Sequence, residues 1–368
     1  MSERKYMELA IELAKKGCGF VTPNPMVGAV IVKDGKVIGK GYHHKCGELH
    51  AERDALKNCV QDTEGAVMYV TLEPCCHHGK QPPCVEAIAE AKIRKVVIGS
   101  KDPNPLVSGK GINYLKEHGI KVETDFCKEE CDNVNYVFFY YIQTKLPYVV
   151  MKYAMTIDGK IATYTGDSKW ITGKDARNQV HKDRHRYTGI MTGIGTVLAD
   201  NPLLTCRMEG GKNPIRIICD TSLRTPLDSQ IVNTANKIHT IIATCEENSK
   251  IIAEYEKRGC ELLILPPQNN HIDLNILMKE LGRKGIDSIL MECGSTLSWS
   301  AMESGIVNRI QAYVAPKIIG GATAKSPIGG KGVFEMSQAI HLKNSIVSRL
   351  GTDFLIESEV EQNVYRNN

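Results

Sequence analysis

The sequence predicts an α/β protein built from two separately folded domains. The chain has 368 residues, more than a single compact core usually contains. Strand and helix patterns alternate in two series along it, separated by an aromatic stretch, NYVFFYYIQTKLP, that ends at Pro147. We therefore place one domain at residues 1–145 and a second at 146–368, with the boundary near residues 143–147.

The first domain reads as a three-layer α/β unit. Apolar residues at helical spacing predict an amphipathic helix near the N-terminus: Tyr6, Leu9, Ala10, Leu13 and Ala14. MVGAVIV and VIGKGYH flank the turn Asp34-Gly35, which predicts a β-hairpin. The elements predicted after it are a helix from about His50, the strand AVMYVTL, a helix from Pro83 through Lys92, the strand RKVVIGS, a helix near Ile112–Glu117 and the strand IKVET.

The second domain is predicted from a longer series of strands with helical stretches between several of them. Its strand-like segments are YVVMKYAM, YTGIMTG, PIRIICD, KIHTIIAT, CELLIL, DSILMECG and RIQAYVAP. We expect them to form a separate α/β core.

Composition excludes several classes of function. Basic and acidic residues number 20 and 19 up to Leu146, and 26 and 23 after it, so the charge pattern is not that of a nucleic-acid-binding protein. No apolar run approaches the roughly 18 residues of a membrane span, and the N-terminus lacks a secretory pattern. Thirteen scattered cysteines fit thiols in a reducing cytoplasm better than a disulfide framework. We expect a cytoplasmic protein with no membrane or nucleic-acid partner.

Potential metal ligands are concentrated in two segments of the first domain. EPCCHHGKQPPC contains three cysteines and two histidines, and LHAERDAL supplies His50 and Glu52. His-x-Glu followed by Pro-Cys and a further cysteine is the zinc deaminase signature, although the second cysteine here comes nine positions after the first instead of three. We predict that His50, Cys75 and Cys84 bind one zinc ion with a position left for water, and that Glu52 moves protons there.

Two other interpretations of these cysteines exist. Cys76, His77 or His78 would be the fourth ligand of a closed, structural zinc site. Cys75 and Cys76 would be a redox pair, but adjacent cysteines rarely form a disulfide without strain. Glu52 favours the catalytic site, since a structural site has no need of a carboxylate, and Cys76 is then an ordinary packed thiol.

The second domain has no Gly-x-Gly-x-x-Gly motif, so a Rossmann dinucleotide site is not supported. In TGIGTVLAD, Gly193 and Gly195 follow a strand and precede a short helix. In ILMECGSTL a strand ends at Glu292 and Gly294-Ser295-Thr296 opens a helix, whose free N–H groups suit a cofactor phosphate. Ser295 is equally explained as the helix N-cap.

Three charged residues stand out in the same domain. Lys152 interrupts an apolar strand, so it either reaches solvent at a sheet edge or serves a site. Arg184 lies in the charge run HKDRHRY, which ordinarily forms a solvated helix face. Arg207 follows LLTC with no local reason for a charge, which makes it a candidate phosphate ligand.

These motifs together resemble the family of bifunctional riboflavin-biosynthesis deaminase/reductases. Residues 1–145 are similar to the cytidine deaminase superfamily, and TPNPMVGAVIV, HAERDAL, LEPCCHHGKQPPC and DPNPLVSGKGI are similar to the deaminase half of that family. MKYAMTIDGKIA, TGIGTVLADNPLLTCR and LMECGSTLSWSAM are similar to its reductase half. The family usually has serine after the first ligand cysteine, where this chain has Cys76.

The resemblance implies a fold and a reaction for each half. It implies a cytidine-deaminase-like three-layer domain with one zinc ion, followed by a dihydrofolate-reductase-like domain. The first would release ammonia from 2,5-diamino-6-(5-phosphoribosylamino)pyrimidin-4-one, and the second would reduce the ribosyl side chain to ribityl with NADPH. The partner is then a small molecule.

The resemblance also implies roles for single residues. Substrate contacts of the deaminase would be Asn24, His43, His77, Lys80, Asp102 and Asn104. Substrate contacts of the reductase would be Ser168, Arg184, Leu204, Arg207 and Glu292. Cofactor contacts would be Ala154, Trp170, Thr196, Asp200, Gly294, Ser295, Thr296, Leu297, Ser298, Trp299 and Ser300. Lys152 would be a catalytic residue, a proton donor with Asp200 and Glu292 nearby.

Two other functions compete with this interpretation. One is a nucleoside or tRNA deaminase with an unrelated appended domain, although a tRNA enzyme should show a basic face. The other is a zinc-organised module that binds a nucleotide without turnover, for which Glu52 would have no purpose. Two active sites on one chain would suit a homo-oligomer, a dimer or a tetramer.

Overall fold

The computed structural model describes residues 3–77, 81–104 and 108–361. The chain forms two compact units, one up to Lys145 and the other from Leu146 onward. Both are α/β, which confirms the fold class. Among the described helices, none has both the length and the apolar character needed to cross a membrane.

The first unit is built around a five-stranded mixed sheet. Its strands are β1 (Gly28–Lys33), β2 (Lys36–Tyr42), β3 (Val67–Leu72), β4 (Lys95–Ser100) and β5 (Lys121–Glu123). They lie in the order β2-β1-β3-β4-β5. The predicted hairpin β1–β2 is antiparallel, β1 is also antiparallel to β3, and β3, β4 and β5 run parallel.

Helices cover both faces of this sheet, which confirms the predicted three layers. The helices are α1 (Arg4–Lys15), α2 (Ala51–Lys57), α3 (Cys84–Glu90), α4 (Lys110–Glu117) and α5 (Lys128–Thr144). Apolar residues of α2, α3 and α4 pack on one face and those of α1 and α5 on the other. The close packing of α2 needs a glycine, because a Cβ on Gly41 would lie 2.2 Å from the backbone nitrogen of Ala55.

The aromatic stretch between the domains is part of helix α5, which the sequence patterns did not predict. Its helical φ/ψ values are interrupted at Asn135, whose buried side chain bonds Met26 twice. Asn135 Oδ1 accepts from Met26 N at 2.8 Å, and Nδ2 donates to Met26 O at 2.9 Å. This pairing of residues 109 positions apart fixes the segment that follows TPNP beside α5.

The second unit contains a nine-stranded sheet. Its strands are β6 (Tyr148–Thr156), β7 (Gly189–Gly193), β8 (Ile215–Cys219), β9 (Thr240–Thr244), β10 (Glu261–Ile264), β13 (Ser288–Met291), β14 (Val307–Ala315), β15 (Leu342–Leu350) and β16 (Asp353–Val360); a separate two-stranded ribbon is formed by β11 (Pro267–Gln268) and β12 (His271–Ile272). The order is β10-β9-β8-β7-β13-β6-β14-β16-β15, parallel from β10 to β14 and antiparallel beyond it.

Helices again lie on both faces. They are α6 (Lys174–Arg186), α7 (Ile194–Asp200), α8 (Gln230–Asn233), α9 (Ser249–Glu256), α10 (Leu274–Arg283) and α11 (Ser295–Glu303), with a 3₁₀ turn at Met336–Gln338. Apolar residues of α10 and α11 pack on one face, and those of α6 to α9 pack on the other.

The register of β6 and β13 determines where the charged residues of this unit meet. Met291 pairs with Met151, so the next residue along each strand, Glu292 and Lys152, lies at the same level. Side chains alternate between the two faces of a sheet. Lys152 therefore lies on the face covered by α6, away from the core that contains Met151.

The antiparallel strands β15 and β16 are absent from the predicted elements, which stop at RIQAYVAP. β16 pairs with β14, and β15 pairs with β16. β15 is mostly exposed, so its pattern has no buried face by which to identify a strand.

Candidate active sites

The three predicted zinc ligands of the first unit lie close together. One ligand atom each from His50, Cys75 and Cys84 falls within 4.8 Å of the other two. His50 Nδ1 is 3.5 Å from Cys75 Sγ and 3.4 Å from Cys84 Sγ. His50 precedes α2, Cys75 follows β3, and Cys84 is the first residue of α3.

These distances fit a tetrahedral zinc site. Zinc–sulfur and zinc–nitrogen bonds of about 2.3 and 2.05 Å at a tetrahedral angle place the two ligand atoms about 3.6 Å apart. The nitrogen–sulfur distances are close to that value. Among the residues that the structure describes, neither Cys76 nor His77 joins this group. His78 lies outside the described residues.

The two cysteines are electrostatically unequal. Cys84 donates a hydrogen bond to Cys75, and this bond, together with His50 and the backbone N–H of Cys84, lowers the pKa of Cys75. The backbone N–H of Cys84 lies 3.4 Å from Cys75 Sγ. Both sulfurs would lose their protons on binding a divalent cation, because only thiolates ligate it.

Glu52 is buried in the first turn of α2, with 3 % of its surface exposed. Burial raises the pKa of its carboxyl group to about 7. A hydrogen bond also links it to Cys84. A carboxyl group with a pKa near neutrality suits both acceptance and return of a proton.

Other predicted residues border this centre. Asn24 Nδ2 lies 3.2 Å from His43 Nε2, and the ring of buried His43 meets that of His50 edge-on at 5.3 Å between centroids. Burial raises the pKa of Asp102 to about 6, and the charges of His77 and Cys75 also act on it.

Of the three remaining predicted residues, the structure describes Asn104 and His77. Asn104 donates its backbone N–H to Asp102 Oδ1 at 2.8 Å, so DPNP begins with a turn, and Asn104 itself is half-buried. His77 is exposed. Lys80 lies outside the described residues.

The second unit contains a buried cluster of charges around Glu292. Arg184 donates from Nε to Oε1 at 2.7 Å and from Nη2 to Oε2 at 3.1 Å, and Lys152 Nζ lies 3.3 Å from Oε2. All three side chains are less than 15 % exposed. Arg184 therefore belongs to a buried ion pair, and its interpretation as part of a solvated helix face is wrong.

The loop that follows α7 is hydrogen-bonded to this cluster. Arg184 Nη1 donates to the carbonyl of Thr205 at 3.0 Å. Leu204 is buried, whereas Arg207 is exposed. The backbone nitrogen of Arg207 lies 3.3 Å from His181 Nδ1. Asp200 is exposed at the end of α7, and no hydrogen bond or ion pair joins it to Lys152 in the described part of the chain.

The two glycine-containing turns lie beside each other. A Cβ on Gly294 would lie 3.8 Å from Thr196 Oγ1, and one on Gly193 would lie 3.3 Å from the side chain of Leu297. Gly294 is the N-cap of α11 and Ser295 is its first residue, so the N-cap explanation of Ser295 is wrong.

The predicted cofactor contacts on α11 differ in exposure. Ser298 is buried and lies 3.3 Å from Cys293 Sγ, Oγ to sulfur. Thr296 is exposed, and the others are half-buried: Ser295, Leu297, Trp299 and Ser300.

The other predicted contacts of this unit lie on and after β6. Ala154 packs against buried residues of α6 and β14. Trp170 is exposed and has the guanidinium of Arg177 at 4.7 Å from its ring centroid. Ser168 is half-buried.

Comparison with known proteins covers nearly the whole chain. The family model of the RibD C-terminal domain matches residues 147–356, and that of the cytidine and deoxycytidylate deaminase zinc-binding region matches residues 1–100. The riboflavin biosynthesis protein RibD of Actinobacillus pleuropneumoniae is 52 % identical over 97 % of this chain and 95 % of its own. That of Escherichia coli K12 is 36 % identical over 96 % and 98 %. The chain belongs to the RibD family.

Solved structures of RibD proteins agree with this assignment. Acinetobacter baumannii RibD matches with a TM-score of 0.87 and 36 % identity over 98 % of this chain and 99 % of that one. A Thermotoga maritima diaminohydroxyphosphoribosylaminopyrimidine deaminase/5-amino-6-(5-phosphoribosylamino)uracil reductase matches with 0.87 and 37 % over 97 % and 98 %. The chain is thus a bifunctional deaminase and reductase of riboflavin biosynthesis, and the expected cofactors, zinc and NADPH, are confirmed.

Sequence patterns missed one residue that organises the deaminase half of this RibD chain. Buried Glu73 accepts backbone N–H groups from Asp102 at 3.4 Å, Gly109 at 3.1 Å and Ile112 at 3.3 Å. It thereby ties the end of β3, just before Cys75, to the Asp102 turn and the start of α4. Its position inside LEPCC was the available signal.

A second missed feature belongs to the reductase half. Gly329 donates its N–H to the carbonyl of Ser295 at 3.0 Å. Gly330 has φ of +73°, and a Cβ on it would lie 2.1 Å from the ring of Trp299. The glycines of SPIGGKG therefore bring that loop directly against the start of α11.

Proposed function

We propose that the first unit deaminates 2,5-diamino-6-(5-phosphoribosylamino)pyrimidin-4-one and that the second reduces the ribosyl side chain of the product to ribityl with NADPH. The observation that carries this proposal is the presence, on one chain, of two different buried centres. One has an imidazole, two thiols and a buried carboxyl group. The other has a lysine paired with an arginine-bound carboxylate.

His50, Cys75 and Cys84 would hold the zinc ion. When bound, zinc lowers the pKa of a coordinated water so that hydroxide is available near neutral pH. Cys75 and Cys84 offset its charge as thiolates, and His50 supplies a neutral nitrogen. The backbone N–H of Cys84, at 3.4 Å from Cys75 Sγ, helps to hold that sulfur in place.

Glu52 would be the acid–base catalyst of the deaminase. Its carboxylate takes the proton of the attacking water and returns it to the amine that leaves as ammonia. Burial in the first turn of α2 restricts its rotamers.

Six residues would bind the deaminase substrate. Asn24 and His43, joined at 3.2 Å, offer polar groups to one edge of the pyrimidinone ring. Asp102, Asn104 and His77 border it on the Cys75 side, and Lys80 would contact the phosphate.

In the reductase, Lys152 would donate a proton to the substrate. The ribosylamine ring opens to an imine, and an ammonium near that imine protonates the nitrogen or oxygen that gains electrons. NADPH supplies the hydride when it is bound. Glu292, held by Arg184, orients Lys152 and contacts the substrate, while Arg184, Arg207, Ser168 and Leu204 complete the substrate site.

The cofactor would lie along the turns after β7 and β13. The free N–H groups at the start of α11 suit a pyrophosphate, and Thr196 approaches Gly294 from the neighbouring turn. Ala154, Trp170, Asp200 and residues 295–300 would form the rest of the cofactor site.

We further propose that the chain forms a homo-oligomer, a dimer or a tetramer. Within the described residues β15 is the last strand of its sheet, so no described strand neighbours one of its edges. Ile346 and Val347 on it are 63 % and 64 % exposed, and exposed apolar edge strands are ordinarily covered. Analytical ultracentrifugation tests this, and a monomer at micromolar concentration would contradict it.

We also propose a cytoplasmic location. All thirteen cysteines lie in the described part of the chain and all are free thiols, as expected in a reducing compartment. Fractionation of the source cells with a tagged chain tests this, and recovery of the chain outside the cytoplasm would contradict it.

The experiment for the proposed reactions follows both products at once. Zinc-loaded protein receives the diaminopyrimidinone phosphate and NADPH, and ammonia and NADPH absorbance are recorded separately. We expect ammonia first, then one NADPH oxidised per ammonia released. NADPH oxidation without prior ammonia release, or no ammonia at all, would contradict the proposal.

A further inference from the structure

Beneath Lys152 lies a buried tyrosine that none of the reactions above uses. Tyr313 is on β14 and is 1 % exposed. Lys152 Nζ lies 5.7 Å from the centroid of its ring, within the range of a cation–π interaction. Gln311, two residues earlier, pairs with Lys152, and Tyr313 itself pairs with Ala154. Tyr313 is therefore on the same sheet face as Lys152.

The other end of Tyr313 is fixed by helix α6. Its hydroxyl donates to Asp183 Oδ2 at 2.9 Å, and Gln179 Nε2 donates to Asp183 Oδ1 at 3.2 Å. Asp183 is 4 % exposed. Val180 of the same helix belongs to the same apolar cluster as Tyr313, so α6 holds this side chain by packing as well as through its hydroxyl.

Asp183 immediately precedes Arg184 in the sequence. Two chains of contacts therefore connect α6 to Lys152. In the first, Arg184 bonds Glu292, which pairs with Lys152. In the second, Asp183 bonds Tyr313, whose ring faces Lys152. One helix therefore restrains the ammonium from two directions, through a carboxylate and through an aromatic ring.

We propose that Tyr313 is a positioning residue for reduction, which holds the ammonium of Lys152 at the reacting atoms through the face of its ring. The proposal rests on the proposed function of Lys152. The ring attracts the cation, while Glu292 alone would let it swing about one contact at 3.3 Å. The hydroxyl acts indirectly, because it fixes the ring through Asp183.

The test uses single turnovers of hydride transfer with enzyme and NADPH in excess over pre-deaminated substrate. The first-order rate constant then reports the quality of the site and does not depend on how much of the preparation is folded. Tyr313→Leu removes the ring and Tyr313→Phe removes only the hydroxyl. Tyr255 supplies matched controls, because it is equally buried in the same unit and its hydroxyl donates to Leu223 and Thr225 carbonyls.

We expect Tyr313→Leu to lower the rate constant about 10-fold or more, with the Kd for NADPH and the rate of ammonia release unchanged. Tyr313→Phe should stay within about 3-fold of wild type, because the ring remains. Tyr255→Leu and Tyr255→Phe should leave the rate constant unchanged. A Tyr313→Leu rate constant equal to that of Tyr255→Leu, or a Phe variant as slow as the Leu variant, would overturn the proposal.

If Tyr313→Leu does not fold, fluorinated phenylalanines at position 313 keep the shape and weaken the ring's attraction for a cation. The rate constant should then fall with each added fluorine, and a flat series would overturn the proposal. Failure of the proposed function is distinguishable, since wild-type protein would then oxidise no NADPH with the pre-deaminated substrate.

Discussion

The carboxylate of Glu292 accepts two hydrogen bonds from the guanidinium of Arg184, from Nε to Oε1 at 2.7 Å and from Nη2 to Oε2 at 3.1 Å. Lys152 approaches the same carboxylate. Burial by itself would raise the pKa of Glu292, but Arg184 and Lys152 outweigh burial and lower that pKa to about 2. The proposed reductase centre therefore contains a carboxylate that stays ionised at every physiological pH.

This lowered pKa predicts a pH dependence of stability. A carboxyl group whose pKa is lower in the folded state stabilises the protein above its unfolded pKa, and the stabilisation is lost as pH falls towards the folded pKa. For a change from 4.5 to about 2, the loss amounts to about 3 kcal/mol. We expect it between about pH 4.5 and 2, measured as the difference in urea unfolding between wild type and Glu292→Gln.

Glu280→Gln, at a carboxylate on α10 that pairs with Arg283 near the surface, provides the control for this measurement. The pH-dependent difference in unfolding free energy between wild type and Glu280→Gln should be much smaller than that between wild type and Glu292→Gln. Parallel curves for wild type and Glu292→Gln would contradict the lowered pKa.

Glu52→Gln separates metal binding from proton transfer in the deaminase. The amide keeps the size of the side chain but cannot accept a proton from water, so ammonia release should fall by about 10² or more. Zinc content should remain one per chain, because the ligands are untouched, and reduction of pre-deaminated substrate should be normal. Ammonia release near the wild-type rate would remove Glu52 as the acid–base catalyst.

Gly330→Ala tests the contact between the glycine loop and α11. The added methyl group would lie 2.1 Å from the Trp299 ring, so Trp299 must move. Because Trp299 is a proposed contact of the cofactor, its displacement should raise the KM for NADPH about 10-fold. Gly332→Ala is the matched control, because its φ of +72° is as strained and nothing lies within 4 Å of the new Cβ. Equal KM values for the two variants would contradict a role of this loop in cofactor binding.

Glu73→Gln tests the link between the zinc ligands and the Asp102 turn. In wild type, the backbone N–H groups of Gly109 and Ile112 donate to the two carboxylate oxygens of Glu73. In the variant the side-chain NH₂ group replaces one of these oxygens, so a buried backbone donor loses its acceptor. We expect a higher deaminase KM, with zinc still bound and NADPH oxidation unchanged. Glu117→Gln, at an exposed position on α4, should behave as wild type, and a Glu73→Gln variant that matches it would contradict the link.

Local patterns were sufficient for most of the fold and for the metal cluster. His50 and Glu52 open a helix, and Cys75 and Cys84 follow a strand and start a helix. Periodicity and turn residues predicted these elements, whereas the meeting of the three ligands was predicted from the zinc deaminase signature. The helix α5 was missed because its aromatic residues have no helical spacing, and Asn135 is fixed by a partner 109 positions away.

Long-range pairing explains the other differences. Arg184 looks like one charge among many in HKDRHRY, and only its contact with Glu292, 108 residues later, buries it. β16 is a strand because it pairs with β14, and β15 because it pairs with β16, not because of their own composition. Tyr313 has no local signal at all, since a tyrosine inside an apolar strand is ordinary.

The central claim is that one chain carries two separate catalytic centres, and a mixing experiment tests it most directly. Glu52→Gln should release almost no ammonia but reduce pre-deaminated substrate, and Lys152→Ala should release ammonia at the wild-type rate but oxidise no NADPH. Mixing the two proteins with the diaminopyrimidinone phosphate and NADPH should restore both signals. If Lys152→Ala also loses ammonia release while still folded, or if the mixture oxidises no NADPH, the account of two independent centres is contradicted.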